Sequence, residues 1–266
     1  TMGYIEKEEY IRLLNIASNV GPLFLIGSVA SALLNNIALG YILLAGSYIS
    51  CIIIGIITKK KRTFKNISSL KSKNDCNPNL GIAIKNSVEN SITTVLNIGG
   101  FIIIFSVIIS LIKSSSLIAI LINNLEYFFK IPHDTLYSVL LGSIEITNGC
   151  SLLASLSISM PLKLSLISFL CSFSGIAIIA QVSSFVGSTG IKLLRYIIFK
   201  FIQGIFSFII TYILMMIIPS SVYTSNIYIY SQHPTNYYLI PAIVMLVLFI
   251  LLQFFNIFHT KNSASL

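Results

Sequence analysis

Between Leu136 and Val186, two apolar segments are each interrupted by a short polar run that contains glycine. The first run is Gly142-Ser143-Ile144-Glu145-Ile146-Thr147-Asn148-Gly149-Cys150. The second is Ser172-Phe173-Ser174-Gly175, with Gln181 a little further on. A charge at membrane depth costs roughly 2.5 kcal/mol or more, so it persists only where it faces a partner, a cavity or a pathway. Glu145 reads as the one carboxylate inside the long apolar part of any segment. This stretch therefore constrains both the fold and the search for function.

Composition decides the class. The chain is 55% hydrophobic and 9% charged, against about 25% charged in soluble domains. It reads as an all-α polytopic membrane protein with broken or re-entrant helices. At roughly 20 residues per span, the apolar runs allow six or seven crossings, some short or interrupted. Four stretches organise it. Residues 1–57 hold an amphipathic entry helix, a re-entrant half-helix and a first full span. Residues 58–90 form a basic cytoplasmic loop and an amphipathic lead-in, residues 91–218 a gate-like part with broken helices, and residues 219–266 a non-cytoplasmic loop and a last span. Met2 precedes a charged amphipathic stretch, which is not a signal-peptide pattern. The chain opens on Thr1, and the expectation is a fragment that lacks upstream spans.

The net charge of +9 is a matter of topology, and nucleic acid is not expected as a partner. Eight of the seventeen basic residues fall between two spans: Lys59, Lys60, Lys61, Arg62, Lys65, Lys71, Lys73 and Lys85. Such clusters mark the cytoplasmic side. The four cysteines have no metal-ligand spacing, and no metal or cofactor is expected. No Walker loop, HExxH, GxSxG or paired carboxylates are present, so the chain does not read as an enzyme.

Along the chain, Ala17 to Pro22 breaks the first amphipathic helix, since the residue before proline leaves the α region. A short helix from Pro22 to Leu34 and a span from Ile37 to Ile57 follow. Leu80–Glu89 leads into a span from Ser91 to Ile112, where Asn97, Gly99 and Gly100 allow close packing or a gate. Leu117–Phe129 ends at Lys130, and Asp134 stands as a helix cap. Thr135–Ser159 and Lys163–Gly187 are the broken segments, joined at Met160-Pro161. Ile191–Ile218 is a span opened by Lys192, Arg195 and Lys200, and Ile240–Phe258 is the last. A faint repeat sets Ser18-Asn19-Val20-Gly21 beside Ser172-Phe173-Ser174-Gly175. It also sets Leu39-Gly40-Tyr41-Ile42 beside Leu194-Arg195-Tyr196-Ile197, as a degenerate inverted repeat of the kind secondary transporters use.

Taken together, Glu145 to Cys150, Ser174-Gly175 with Ala180-Gln181-Val182, Gly21 to Gly27 and Asn97 to Ile102 resemble the YlbJ (SpoVV) family of sporulation integral membrane proteins. The likeness runs from about residue 8 to residue 218. It implies a nucleoside recognition gate domain, shared with concentrative nucleoside transporters. It further implies a protein of the outer forespore membrane that moves dipicolinic acid towards the spore. Family members usually have a longer N-terminal part, and a His-Ala pair where this chain has Ile179-Ala180.

Dipicolinate is a planar dianion. Half-helix N-termini at the Gly21 and Gly175 breaks can face an anion with free N–H groups. Ser18, Asn19, Ser172 and Ser174 add hydroxyl or amide contacts. Thr147, Asn148, Gly149 and Gln181 complete the candidate solute site. Glu145 has three open roles: holding a coupling cation, carrying a proton, or bracing the hairpin by accepting backbone N–H bonds. Three functions stay open as well. They are a small-anion transporter, a structural subunit that holds other sporulation membrane proteins, and a nucleoside carrier.

Overall fold

The structure is a computed structural model that describes residues 7–59, 80–186 and 193–218. The expectations for most of the basic loop, for residues 219–238 and for the span at Ile240–Phe258 lie outside the described residues. Among the described residues every regular element is a helix, in the order α1 (Lys7–Ala17), π1 (Phe24–Leu33), α2 (Ile37–Ile57), α3 (Leu80–Ser114), α4 (Ser116–Phe129), α5 (Thr135–Ile144), α6 (Ile146–Ser155), α7 (Met160–Phe173), α8 (Gly175–Val186) and α9 (Leu194–Ile217). Among the described residues, four stretches are long and apolar enough to cross a membrane: Ile37–Ile57, Leu80–Ser114, Met160–Val186 and Leu194–Ile217. The third is the α7–α8 pair, which carries a break within its length.

Helix α2 begins where the sequence places it because Asn36 caps it, its Oδ1 accepting from Ala38 N at 3.0 Å. The short helix after Pro22 is not an ordinary α-helix. It is a ten-residue π-helix, and the Leu34 N–H reaches back five residues to Val29 O at 3.0 Å. Long π runs are rare. This one crosses α2 closely: a Cβ on Gly40 would lie 2.9 Å from both Ala30 Cβ and Ile26 Cα.

The core lies where π1, α2, α6, α7 and α9 meet. Leu25, Val29, Leu39, Leu43, Leu153, Leu164, Ile167, Leu170 and Met215 pack there. A seam of hydroxyls runs through it. Ser168 Oγ sits 2.5 Å from Ser207 Oγ and accepts from Thr211 Oγ1 at 2.7 Å. Ser172 Oγ donates to Ser47 Oγ at 3.1 Å. Small hydroxyl residues let membrane helices approach closely while satisfying one another. Gly46 shows how close, for a Cβ there would lie 2.1 Å from Thr211 Oγ1.

Helix α3 runs the expected lead-in and span together without a break. It is one 35-residue rod of roughly 50 Å at 1.5 Å per residue. Ile109 is its buried residue. The close-packing expectation for Gly99 and Gly100 is not met within the described residues, because nothing lies within 4 Å of either Cβ position.

Candidate functional site

The first break is built around Glu145. Its backbone is extended, at φ −142° and ψ 120°, between α5 and α6. Its carboxylate turns onto the start of α6. Oε1 accepts from Thr147 N at 2.8 Å, and Oε2 accepts from Asn148 N and Asn148 Nδ2, each at 2.9 Å. Three donors thus meet an acid that is 6% exposed. A negative group also suits the positive end of a helix. Of the three roles open to Glu145, this geometry displays the bracing one.

The second break sits at Ser174 and Gly175, with consecutive left-handed φ values of 73° and 67°. Glycine tolerates that region and serine does so at a steric cost. The two breaks touch. A Cβ on Gly175 would lie 3.3 Å from Ile144 O and 3.4 Å from Gly142 O. The α5–α6 hairpin closes on itself as tightly, since a Cβ on Gly149 would fall 2.1 Å from Gly142 Cα. Cys150 and Cys171 stand beside this crossing, both buried, with Sγ atoms 3.9 Å apart.

The third feature is the turn between α1 and π1. Lys200, in α9 and fully buried, donates to Ser18 O, to Asn19 Oδ1 at 3.1 Å and to Gln203 Oε1 at 3.3 Å. Gln203 Nε2 donates to Asn19 Oδ1 at 2.7 Å. Ser18 Oγ pairs with Tyr196 OH at 2.8 Å. Asn19 Nδ2 reaches Ile16 O at 2.7 Å and Cys51 Sγ at 3.1 Å.

The residues expected to form one solute site therefore fall into two groups. Glu145, Thr147, Asn148, Gly149, Ser174 and Gly175 gather at the crossing of the breaks. Ser18 and Asn19 gather on Lys200, with Gly21 exposed just beyond. Ser172 joins the hydroxyl seam instead, through Ser47. Gln181 is partly exposed on α8, and its backbone carbonyl accepts from Ser184 Oγ at 2.7 Å. A cluster of Ile11, Phe173, Ile179 and Tyr196 packs beside both groups.

Three buried charges hold places the sequence reading did not assign them. Glu126, 2% exposed, is a second carboxylate inside an apolar helix, so Glu145 is not alone. It caps α5, accepting from Asp134 N at 2.9 Å, Leu136 N at 2.7 Å and Tyr137 N at 3.3 Å. Asp134 does occupy the cap position, but its side chain makes no capping bond. It faces His133 instead, 3.0 Å from Nδ1. Lys163 bridges the α6–α7 connection, donating to Ala154 O at 2.8 Å. Lys200 was read as part of a basic helix opening, whereas it is interior. Among the described residues no group of three or more His, Cys, Asp or Glu side chains is placed to hold a metal ion.

Apolar spans, interrupted helices that abut and polar groups satisfied inside the helical body define an all-helical, polytopic integral membrane protein. Its sequence supports a place in the YlbJ family. It is 26% identical over 228 residues to the sporulation integral membrane protein YlbJ of Bacillus subtilis (strain 168), an alignment that covers 76% of this chain and 55% of that protein. The chain thus spans about half the length of the curated relative it matches. No family model and no solved structure matches it.

Proposed function

We propose that this chain is a sporulation membrane protein that transports a small carboxylate, dipicolinate, across the outer forespore membrane. One observation carries the reading: two discontinuous helices meet break to break, with Gly175 against the carbonyls of Ile144 and Gly142. Secondary transporters place solute sites where interrupted helices meet near the midplane. The relative's name supports the sporulation setting. In this reading the chain is not an enzyme. Its partners are the bilayer, the solute and other sporulation membrane proteins.

A second reading is favoured by α3. A 35-residue apolar rod with one buried side chain suits a subunit that holds a neighbouring membrane protein. Uptake of labelled dipicolinate by vesicles containing the purified protein separates the two. Uptake above that of empty vesicles supports transport. Absence of uptake, with normal dipicolinate content in spores of a deletion strain, removes it in favour of the assembly role. Inhibition of uptake by nucleosides turns the reading towards a nucleoside carrier.

A further inference from the structure

We propose that Lys200 receives a carboxylate of the transported solute, in a site completed by Gln203 and the Ser18–Asn19 turn. This rests on the small-anion reading above; the Lys200 cluster is a solute station apart from the crossing of the breaks, and it supplies the charge that would give transport its sign selectivity.

A buried ammonium is costly unless it is paired and its donors are satisfied. Lys200 is fully buried, and its acceptors are a peptide carbonyl and two amide oxygens, all neutral. Among the described residues none of its partners is a carboxylate. An apolar side chain would fill this place in the span without that cost, and ionisable residues at such depth are functional by default. The net positive charge left at the cluster matches an anion.

The partners are suited to exchange. Asn19 and Gln203 hold each other through Gln203 Nε2 and Asn19 Oδ1 at 2.7 Å. Each amide carries donors as well as an acceptor. When a carboxylate takes Lys200 Nζ, both amides can turn N–H groups to it. The Ser18 and Tyr196 hydroxyls, 2.8 Å apart, supply further donors at the same turn. Bonds from these amide and hydroxyl donors to a carboxylate are charge-assisted, about twice as strong as the neutral bonds such donors make to one another.

The turn is also placed to open. It joins α1 to π1. Gly21 is exposed, with nothing within 4 Å of its Cβ position. Movement of π1 about this joint would uncover Lys200 without unfolding α9.

The test uses the full chain in vesicles and reads KM for dipicolinate uptake in wild type, Lys200→Arg, Lys200→Gln and Gln203→Glu. Gln203→Glu keeps the lysine and supplies it with an internal counter-ion. A lysine that only pins the turn tolerates that change. A lysine that binds the solute loses it. The expected result is a KM raised at least about tenfold, some 1.4 kcal/mol, in Lys200→Gln and Gln203→Glu, with Lys200→Arg closer to wild type. Unchanged KM in Gln203→Glu and Lys200→Gln overturns the assignment while leaving transport standing. No uptake by the wild type overturns the transport reading itself.

A second measurement needs no variant. An aldehyde analogue, 6-formylpyridine-2-carboxylate, condenses with a lysine amine and is fixed by borohydride. Mass spectrometry should find it on Lys200, and dipicolinate should block it. Labelling that spares Lys200, or that dipicolinate does not reduce, overturns the assignment.

Discussion

Glu145 and Glu126 do the same job at two helix starts. Each gives its carboxylate to three N–H donors of the following turn. Helix N-termini leave N–H groups without intrahelical partners, and in lipid no water serves them. An amide in place of either carboxylate keeps one acceptor oxygen and turns an NH2 towards a backbone N–H. Glu145→Gln and Glu126→Gln should each lower stability by about 1–2 kcal/mol. The readout is the thermal midpoint of the purified protein, and an unchanged midpoint would exclude a bracing role for that residue. Glu145 was legible because a charge stands out within an apolar run. Glu126 was less so, lying near a helix end with Lys130 close behind. Lys200 was illegible for a different reason. Its partners Ser18 and Asn19 lie at the far end of the chain, and no local pattern records that contact.

At the scale of elements, the breaks were legible and the geometry between them was not. Asn36 and the long apolar run fix α2 at Ile37–Ile57 as the sequence indicates. Proline and glycine mark the interruptions at Gly21 and Gly175. The width of π1 was hidden, because an α- and a π-helix share the same apolar composition and differ in which carbonyl each N–H reaches. So was the crossing of Gly142 with Gly149, where side chains longer than hydrogen are excluded by the fold rather than by local propensity. Gly149→Ala would force a Cβ to within 2.1 Å of Gly142 Cα, so the hairpin must open or the protein must lose stability. Gly175→Ala adds left-handed strain at φ 67° to a 3.3 Å approach to Ile144 O. Each should cost about 1–3 kcal/mol. Ser174→Gly removes a strained side chain at φ 73° and should leave the thermal midpoint unchanged or raised. A Gly149→Ala protein as stable as wild type would show that the two glycines do not meet.

At the scale of the described molecule, burial is uneven. Helices α2, α7 and α9 share a packed interior with π1 and α6, while α3 shows most of its apolar surface. In water such a rod would be a liability. In a bilayer it is not, because lipid tails are as apolar as leucine and helices gain nothing hydrophobic by leaving them. Stability must then come from close packing and satisfied polar groups, which sit in the body. Leu39 and Leu164 are fully buried, whereas Ile103 and Leu111 are 66% and 65% exposed. Truncating a buried leucine leaves a cavity, and the cavity part of the cost survives in lipid even though the transfer part fades. Leu39→Ala and Leu164→Ala should therefore cost about 1–3 kcal/mol. Ile103→Ala and Leu111→Ala should stay within about 0.5 kcal/mol. The comparison is made on thermal midpoints of the protein in lipid vesicles. Equal losses in the two sets would mean that α3 is covered by another helix in the membrane, which would strengthen the assembly role at the expense of a lipid-facing α3.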